Sequence, residues 1–396
     1  MPTHVRTAAV IGGGIAGPVS AAALAMAGIQ ATVYEAYPVS ADGIGGTLAL
    51  APNGFAALDI IGAADAVAAA GEPVHRMDMT IGNRKRITIP SLAGVGPLWL
   101  LHRTDLYRVL HDRAEALGAR FAYGKRLTGV REGDASVTAV FADGTEAVAD
   151  VLIGADGVHS TVRPIIDPAN RGPEYTGMLG FESVADHALP LEAGIMTFAF
   201  GKRGYYLYGA LQDGRTRWGV NLPSSKPLSF KEVRETSNET WMDRLHEVYG
   251  DDSPGADLLR TTPAETLQAS GALHIMPPVP TWHRGRMVLV GDAVHAPSNS
   301  SGQGASLAIE SAIELARCLR DIADPEAAFT AYEGLRRGRV ERIAAMAARS
   351  NAVKAPGPVM QAVLPLIMPL FVKTVMNPEK NLGPVQRHRI DWPATV

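Results

Sequence analysis

The chain opens with a five-residue apolar run, Thr7–Ile11, then a cluster of glycines, an alanine-rich stretch over 15–28, and a second short apolar run over 31–34. Short apolar runs bounded by turn residues predict buried strands. The longer alanine-rich stretch predicts a helix, so the first 35 residues read as the opening of a βαβ unit. Helices are predicted at 52–61 and 63–70, and one or two strands over 74–89 with a turn at Gly82-Asn83. Residues 103–117 read as a helix with Thr104 as its N-cap. Alternating polarity predicts strands from 119 to about 142, and Asp143-Gly144 a hairpin turn into a strand over 146–153. From 175 to about 275 the pattern turns antiparallel: strands over 194–200, 205–210 and 215–222, then a mostly helical stretch over 231–249. A buried strand returns at 286–290, followed by a glycine loop and helices over 305–319 and 325–350.

This order, α/β then β-rich then α/β, predicts an α/β fold with a discontinuous Rossmann-type nucleotide-binding domain at 1–75, 99–174 and 276–350. An antiparallel-sheet substrate domain at 76–98 and 175–275 is inserted in it, and 351–396 forms a C-terminal helical segment. A length of 396 residues agrees, since one hydrophobic core rarely keeps growing at that size. A net charge of -3 without a long basic run argues against nucleic acid as a partner. The one cysteine, Cys318, rules out an internal disulfide and reads as a packed small residue; it fits a reducing, cytoplasmic setting. Two apolar stretches resemble membrane segments only superficially. The first, 8–29, is broken by its glycines. The second, 359–376, is broken by Pro365, Pro369 and Lys373 and reads as a packed apolar helix or a lid, without stable membrane insertion.

Three motifs carry chemistry. Gly12-Gly13-Gly14-Ile15-Ala16-Gly17 lies between the first strand and helix. Gly12 permits the tight turn, Gly14 lets the backbone approach a pyrophosphate, and Gly17 lets the helix pack closely. The amides at the helix start, Ile15 and Ala16 among them, favour an anion there. Glu35, with Ala36 after it, ends the second strand where an acid hydrogen-bonds a ribose hydroxyl. The second motif runs from Asp150 to Arg163 and contains Asp156-Gly157. In the third, an apolar strand delivers Gly291-Asp292, followed by Gly302-Gln303-Gly304-Ala305 at a helix start.

Three such motifs in this order resemble the single-component (group A) FAD-dependent aromatic monooxygenases, the family of para-hydroxybenzoate hydroxylase and the tetracycline-inactivating hydroxylases. The resemblance spans residues 5 to about 345. It implies that Asp292 holds the ribityl chain of FAD, that Gly302–Gly304 faces the isoalloxazine, and that Asp156 and Gly157 serve the pyrophosphate and NAD(P)H use. For Asp156 a turn-capping carboxylate is the alternative. His102-Arg103-Thr104-Asp105-Leu106 resembles the stretch whose arginine reaches the cofactor, and Gly45-Gly46 the loop beside the flavin. The chain departs from the family at Asn299, commonly proline, and at Ser311, commonly aspartate. The resemblance implies reduction of FAD by a transient NADPH or NADH, addition of O2 to give a C4a-hydroperoxyflavin, and transfer of one oxygen atom to a small aromatic or polycyclic substrate. An FAD-dependent reductase or dehydrogenase, or a silent FAD-binding protein, is the alternative, in a monomer or homodimer.

For the substrate side, strand alternation groups Met196 with Phe198, and Tyr206 with Tyr208, while Trp218 follows on the next strand. These are the expected aromatic lining of an apolar pocket. His295 and His159 are far apart in sequence and lack partners at ligand spacing, so no metal is expected. His295 reads as structural rather than as a general base.

Overall fold

The computed structural model describes residues 5–39, 45–81, 86–352 and 378–396. A six-stranded sheet assembled from distant segments forms the first layer. At its centre Thr7–Ile11 (β1) runs parallel to Gln30–Tyr34 (β2) on one side and to Val151–Gly154 (β12) on the other. Arg120–Ala122 (β8) extends one edge, and Met287–Leu289 (β19) with His283–Arg284 (β18) the other. Such parallel strands are buried on both faces, which is why β12 and β19 have no polar alternation. Helix Ala16–Met26 (α1) packs between β1 and the long helix Gly304–Asp321 (α10); nine of its residues are buried, and its alanines allow that double contact.

The strand expected over 146–153 is two strands in two sheets. Glu146–Ala149 (β11) pairs with Val137–Phe141 (β10), which pairs with Leu127–Glu132 (β9), whereas β12 joins β1. Asp150 makes the break: its Oδ2 accepts from the amides of Arg6 (2.7 Å) and Thr7 (2.8 Å) and turns the chain into the parallel sheet. The helix expected at 103–117 is Arg103–Ala116 (α4), and its N-cap is His102 rather than Thr104. The cap thus lies two residues earlier than expected, and the Arg103 amide donates to the Gly46 carbonyl at 3.0 Å.

The second layer is a seven-stranded sheet. Its order is Gln268–Ile275 (β17), Glu174–Ala185 (β13), Thr216–Pro223 (β16), Tyr205–Ala210 (β15), Ile195–Phe200 (β14), Arg76–Ile81 (β5) and Ile87–Ile89 (β6). One face packs on Asn238–Tyr249 (α7) and Gly255–Arg260 (α8) through Phe181, Trp218, Tyr206, Trp241 and Leu258. The opposite face looks toward the nucleotide-type layer and a small sheet of Thr47–Leu50 (β3), Leu98–His102 (β7) and Glu72–Val74 (β4). Helix Pro52–Ile60 (α2) follows β3 and packs on α10, and Pro325–Ala352 (α11) packs on α10 from the other side. The apolar stretch 359–376, expected to be a packed helix or lid, lies outside the described residues. Among the described residues no helix is long and apolar enough to cross a membrane.

Candidate active site

The first glycine loop is pinched between β1 and the second motif. Gly12 has φ 102°, and a Cβ there would stand 2.6 Å from the Ala155 carbonyl oxygen. A Cβ on Gly17 would stand 1.9 Å from the Gly12 oxygen, so α1 leaves the loop with no room for a side chain. At Gly14 a Cβ would meet nothing within 4 Å. Open space thus lies against the backbone where Ile15, the N-cap, and Ala16 begin the helix. Glu35 braces this loop: its Oε2 accepts from the Gly13 amide at 2.7 Å and its Oε1 from the Tyr37 amide at 2.9 Å, beside Ala36.

The second motif stands directly against the first. Asp156 Oδ2 accepts from the amides of Thr161 (2.7 Å) and Val162 (3.1 Å), the bonds of a capping carboxylate. Burial raises its pKa, opposed by those amides and by Ser160. Its Oδ1 is buried without a hydrogen-bond partner, and Gly157 follows at φ 76°. Arg163, to which sequence reasoning gave no role, ties the second and third motifs together. It is buried, and its Nη1 donates to the Ala293 carbonyl (2.8 Å) while Nη2 donates to Val158 (3.0 Å).

In the third motif Gly291 has φ 60°, and a Cβ there would lie 2.9 Å from Ala16 Cβ, so this turn touches the first turn of α1. Asp292 follows at the start of a short helix, Asp292–His295 (α9). Burial raises its pKa, and the positive charge of Arg103 opposes that shift. Gly45 and Gly46 complete this corner. A Cβ on Gly45 would meet Arg103 Cδ at 2.7 Å, and one on Gly46 would meet the Glu182 carboxyl at 2.7 Å. Gly302 and Gly304 face open space, and Gln303 between them is buried, with Ala305 in the first turn of α10. The motifs therefore converge on one cleft, from Glu35 at one end to Gln303 at the other.

A buried polar network beneath this cleft was not legible beforehand. Asn53 Nδ2 donates to Gln303 Oε1 (3.0 Å) and to Glu310 Oε1 (2.7 Å). Glu310 pairs with Arg336 at 2.7 Å, both 1% exposed, and with Arg339 at 2.8 Å. Burial pushes the Glu310 pKa up, but Arg336, then Arg339, outweigh it and hold it at about 2. Ser311 joins the network by accepting from Arg336 Nε (3.1 Å) and meeting His295 Nε2 at 2.8 Å. Burial, followed by Arg336, depresses His295 to about 3. The His295 imidazole is thus buried and held neutral, with its Nε2 engaged by Ser311. The residue pattern held only one cue: Asn53 beside the Pro52 that starts α2.

The seven-stranded sheet corrects the expected pocket lining. Cross-strand pairing puts Met196 with Gly209 and Met77, and Phe198 with Leu207 and Met79, on the face toward the cleft. Tyr206, Tyr208 and Trp218 sit on the other face, 2–3% exposed and packed with Trp241, Leu245 and Tyr249. Trp218 Nε1 donates to Thr262 Oγ1 at 2.8 Å. Alternation identified which residues share a face but not which face the helices cover. The cleft face instead presents Glu182, Arg217, Asn221, Leu207 and glycines 209 and 219. Glu182 Oε1 accepts from the Thr47 amide at 2.7 Å, and Asn299 Nδ2 donates to Asn221 Oδ1 at 3.3 Å, so Asn299 meets this face. Elsewhere, His111, Asp112 and Glu115 on α4 bring ligand-type atoms within 4.8 Å of one another, with both carboxylates exposed.

A family model described as an FAD binding domain matches residues 5–347. The chain belongs to the group A FAD-dependent aromatic monooxygenases. It is accordingly an oxidoreductase with FAD as its cofactor. It is similar to aurachin C monooxygenase/isomerase of Stigmatella aurantiaca, 30% identical over 346 residues that cover 85% of each chain. It is likewise similar to 6-hydroxynicotinate 3-monooxygenase of Pseudomonas fluorescens, 30% identical over 85% of this chain and 88% of the relative. Among solved structures, Klebsiella pneumoniae HpxO complexed with FAD and uric acid superposes with a TM-score of 0.77 at 26% identity, covering 90% of both chains. The residues present fit FAD: open space against Gly14, Gly302 and Gly304, and buried, unpartnered oxygens on Asn53 and Asp156, are what a long polar cofactor would fill and satisfy.

Proposed function

We propose that the enzyme hydroxylates a small aromatic or polycyclic substrate, using NADH or NADPH and O2, in the space between the cleft and the Met196–Phe198 face of the sheet. The observation that carries this reading is the convergence of Gly14, Asp292 and Gly302–Gly304 on one cleft roofed by an antiparallel sheet. The domain division follows: 1–75, 99–174 and 276–350 hold the cofactor, and 76–98 with 175–275 shape the substrate space.

Residue by residue, the amides at Gly14, Ile15, Ala16 and Gly17 and the α1 dipole hold the pyrophosphate. Glu35, already fixed by the Gly13 amide, accepts from the adenosine ribose. Asp292 accepts from the ribityl chain, and Arg103 balances its charge. The amides of Gly304 and Ala305 at the α10 N-terminus would meet the flavin pyrimidine and favour negative charge there, those of Gly302 and Gln303 being taken by the Asn299 carbonyl and the Ser301 hydroxyl. When bound, FAD supplies the redox chemistry, taking a hydride from the nicotinamide and delivering one oxygen atom of O2. The chain's own work is to orient the ring and to keep water out. Asn53 holds the Gln303 side-chain amide in one orientation, and the apolar Met196, Phe198 and Leu207 keep the substrate side dry. We place the enzyme in the cytoplasm as a monomer or homodimer, in keeping with its single, buried cysteine.

The test is NAD(P)H oxidation in air by FAD-loaded enzyme with a panel of phenols, polycyclic aromatics and nitrogen heterocycles, with product mass recorded. A compound that accelerates oxidation and gains one oxygen atom supports the reading. Reduction or dehydrogenation of a compound without oxygen gain would replace it with the reductase alternative.

A further inference from the structure

The cleft face of the seven-stranded sheet changes character along its length. At one end Asn221 Oδ1 accepts from Asn299 Nδ2 at 3.3 Å, next to the third-motif loop. Two residues along β16, Gly219 has no side chain, and a Cβ there would meet Leu207 Cδ1 only at 3.6 Å. Two residues further, Arg217 pairs with Gly209 across the strands and gives its guanidinium to Glu72 at 3.0 Å. The face is therefore polar at the Asn299 end and then carries only the Leu207 side chain beside two glycines, Gly219 and Gly209. At the Leu207 and Gly209 end lies a cavity of about 30 Å³ between this sheet and the small β3–β7–β4 sheet, lined by Glu72, Leu100, Met196, Leu207, Gly209 and Arg217.

We propose that this cavity is a subsite for an apolar substituent on the aromatic substrate. The ring lies at the Asn221–Asn299 end, and an alkyl or alkenyl side chain runs over Gly219 and Leu207 into the space under Leu100. The proposal rests on the reading of this sheet face as the substrate face. The four residue steps from Asn221 to Arg217 span ~13 Å, farther than a single ring reaches, so an unsubstituted single ring cannot occupy both ends. A cavity of about 30 Å³ admits roughly two or three non-hydrogen atoms, given that one water needs about 10–15 Å³. The occupant is apolar because the one cation among the described lining residues, Arg217, is already paired with Glu72, and an anionic group would have to displace that carboxylate. Met196 lets the wall adapt, since an unbranched thioether repacks easily around irregular shapes.

The experiment titrates FAD-loaded enzyme with 4-alkylphenols from unsubstituted to hexyl. It reads dissociation constants from the flavin difference spectrum and, separately, oxygenated product with NAD(P)H in air. Affinity is expected to rise about fourfold per methylene, the value of about 0.8 kcal/mol per buried methylene, and then to level once the cavity is full. Leu100→Phe should abolish the rise, and Leu100→Ala should move the plateau to a longer chain. Two variants of opposite size separate filling of the cavity from general damage. A flat series, a rise that neither variant alters, or tighter binding of 4-carboxyalkyl than of alkyl phenols would each overturn the subsite. If phenols are oxygenated without chain-length dependence, the subsite alone fails. If no phenol, polycycle or heterocycle perturbs the flavin spectrum or is oxygenated, the reading of the face fails and the subsite with it.

Discussion

Replacing Glu310 by leucine should destabilise the enzyme by about 3–5 kcal/mol, the cost of leaving a buried charge without its partner. Glu310 takes Arg336 at 2.7 Å, Arg339 at 2.8 and 2.9 Å, and Asn53 Nδ2 at 2.7 Å. Without it the Arg336 guanidinium, 1% exposed, keeps among the described residues the Ser311 hydroxyl at 3.1 Å and the Leu307 carbonyl at 3.4 Å. The acid–base balance gives a similar size. Burial opposes ionisation, but the two arginines lower the pKa from 4.5 to about 2, a shift worth about 3 kcal/mol. Because the folded pKa is depressed, that contribution is fully present above about pH 4.5 and is lost as pH falls toward 2. Equilibrium urea unfolding of the FAD-free protein at neutral pH is the assay. Glu310→Leu should lower stability by this amount, and adding Arg336→Met should restore part of it, since the fully buried orphaned charge is then gone and the more exposed Arg339 keeps the Val385 carbonyl at 2.8 Å. The same single variant should weaken FAD binding, because Asn53 loses one of the two acceptors that hold it against Gln303. A loss below about 1 kcal/mol, or a double variant less stable than the single one, would refute the reasoning.

Gly14→Ala should leave the melting temperature of the FAD-free protein within a degree or two but lower FAD affinity at least tenfold, whereas Gly17→Ala should destabilise the fold itself, by about 1–3 kcal/mol or more, because its Cβ would lie 1.9 Å from the Gly12 oxygen; thermal melts and flavin titration separate the two. Asp292→Ala should cost FAD about 10- to 150-fold in affinity, the range of a hydrogen bond to a charged group, read by fluorescence titration. Burial, with Arg336, depresses His295 to about 3, and burial depresses His388 to about 4. The unfolded chain therefore takes up protons first, and stability should fall steadily from about pH 6.5 toward pH 3, a slope that His295→Asn should reduce in acid unfolding. The same variant should leave the pH dependence of kcat unchanged near neutrality.

The parts of the molecule that obey local rules were readable in the chain. Gly12, Gly17 and Glu35 are set by a turn, a close helix contact and a strand end, all within 35 residues, and β1, α1 and β2 fall within two residues of their expected bounds. What failed depended on distant partners. Asp150 splits a continuous apolar run because it captures two amides 143 and 144 residues away. Tyr206, Tyr208 and Trp218 share the aromatic character of a pocket wall, but α7 and α8, which come later in the chain, cover that face. The Asn53–Glu310–Arg336 network joins residues as much as 257 positions apart, and no periodicity marks any of them. Glu182 and Asn221 reach the cleft for the same reason: their strand faces were readable, and the layer opposite them was not.

The central claim is that this cleft and sheet together transfer one oxygen atom from O2 to an aromatic substrate. The most direct measurement is turnover of the best substrate from the panel with NAD(P)H under 18O2, with product mass and hydrogen peroxide recorded together. The account predicts a product heavier by one 18O atom, formed one-for-one with the NAD(P)H consumed beyond that lost to peroxide. A product carrying oxygen from water, or no oxygen gain while the electrons of NAD(P)H are recovered in full as hydrogen peroxide, would contradict it.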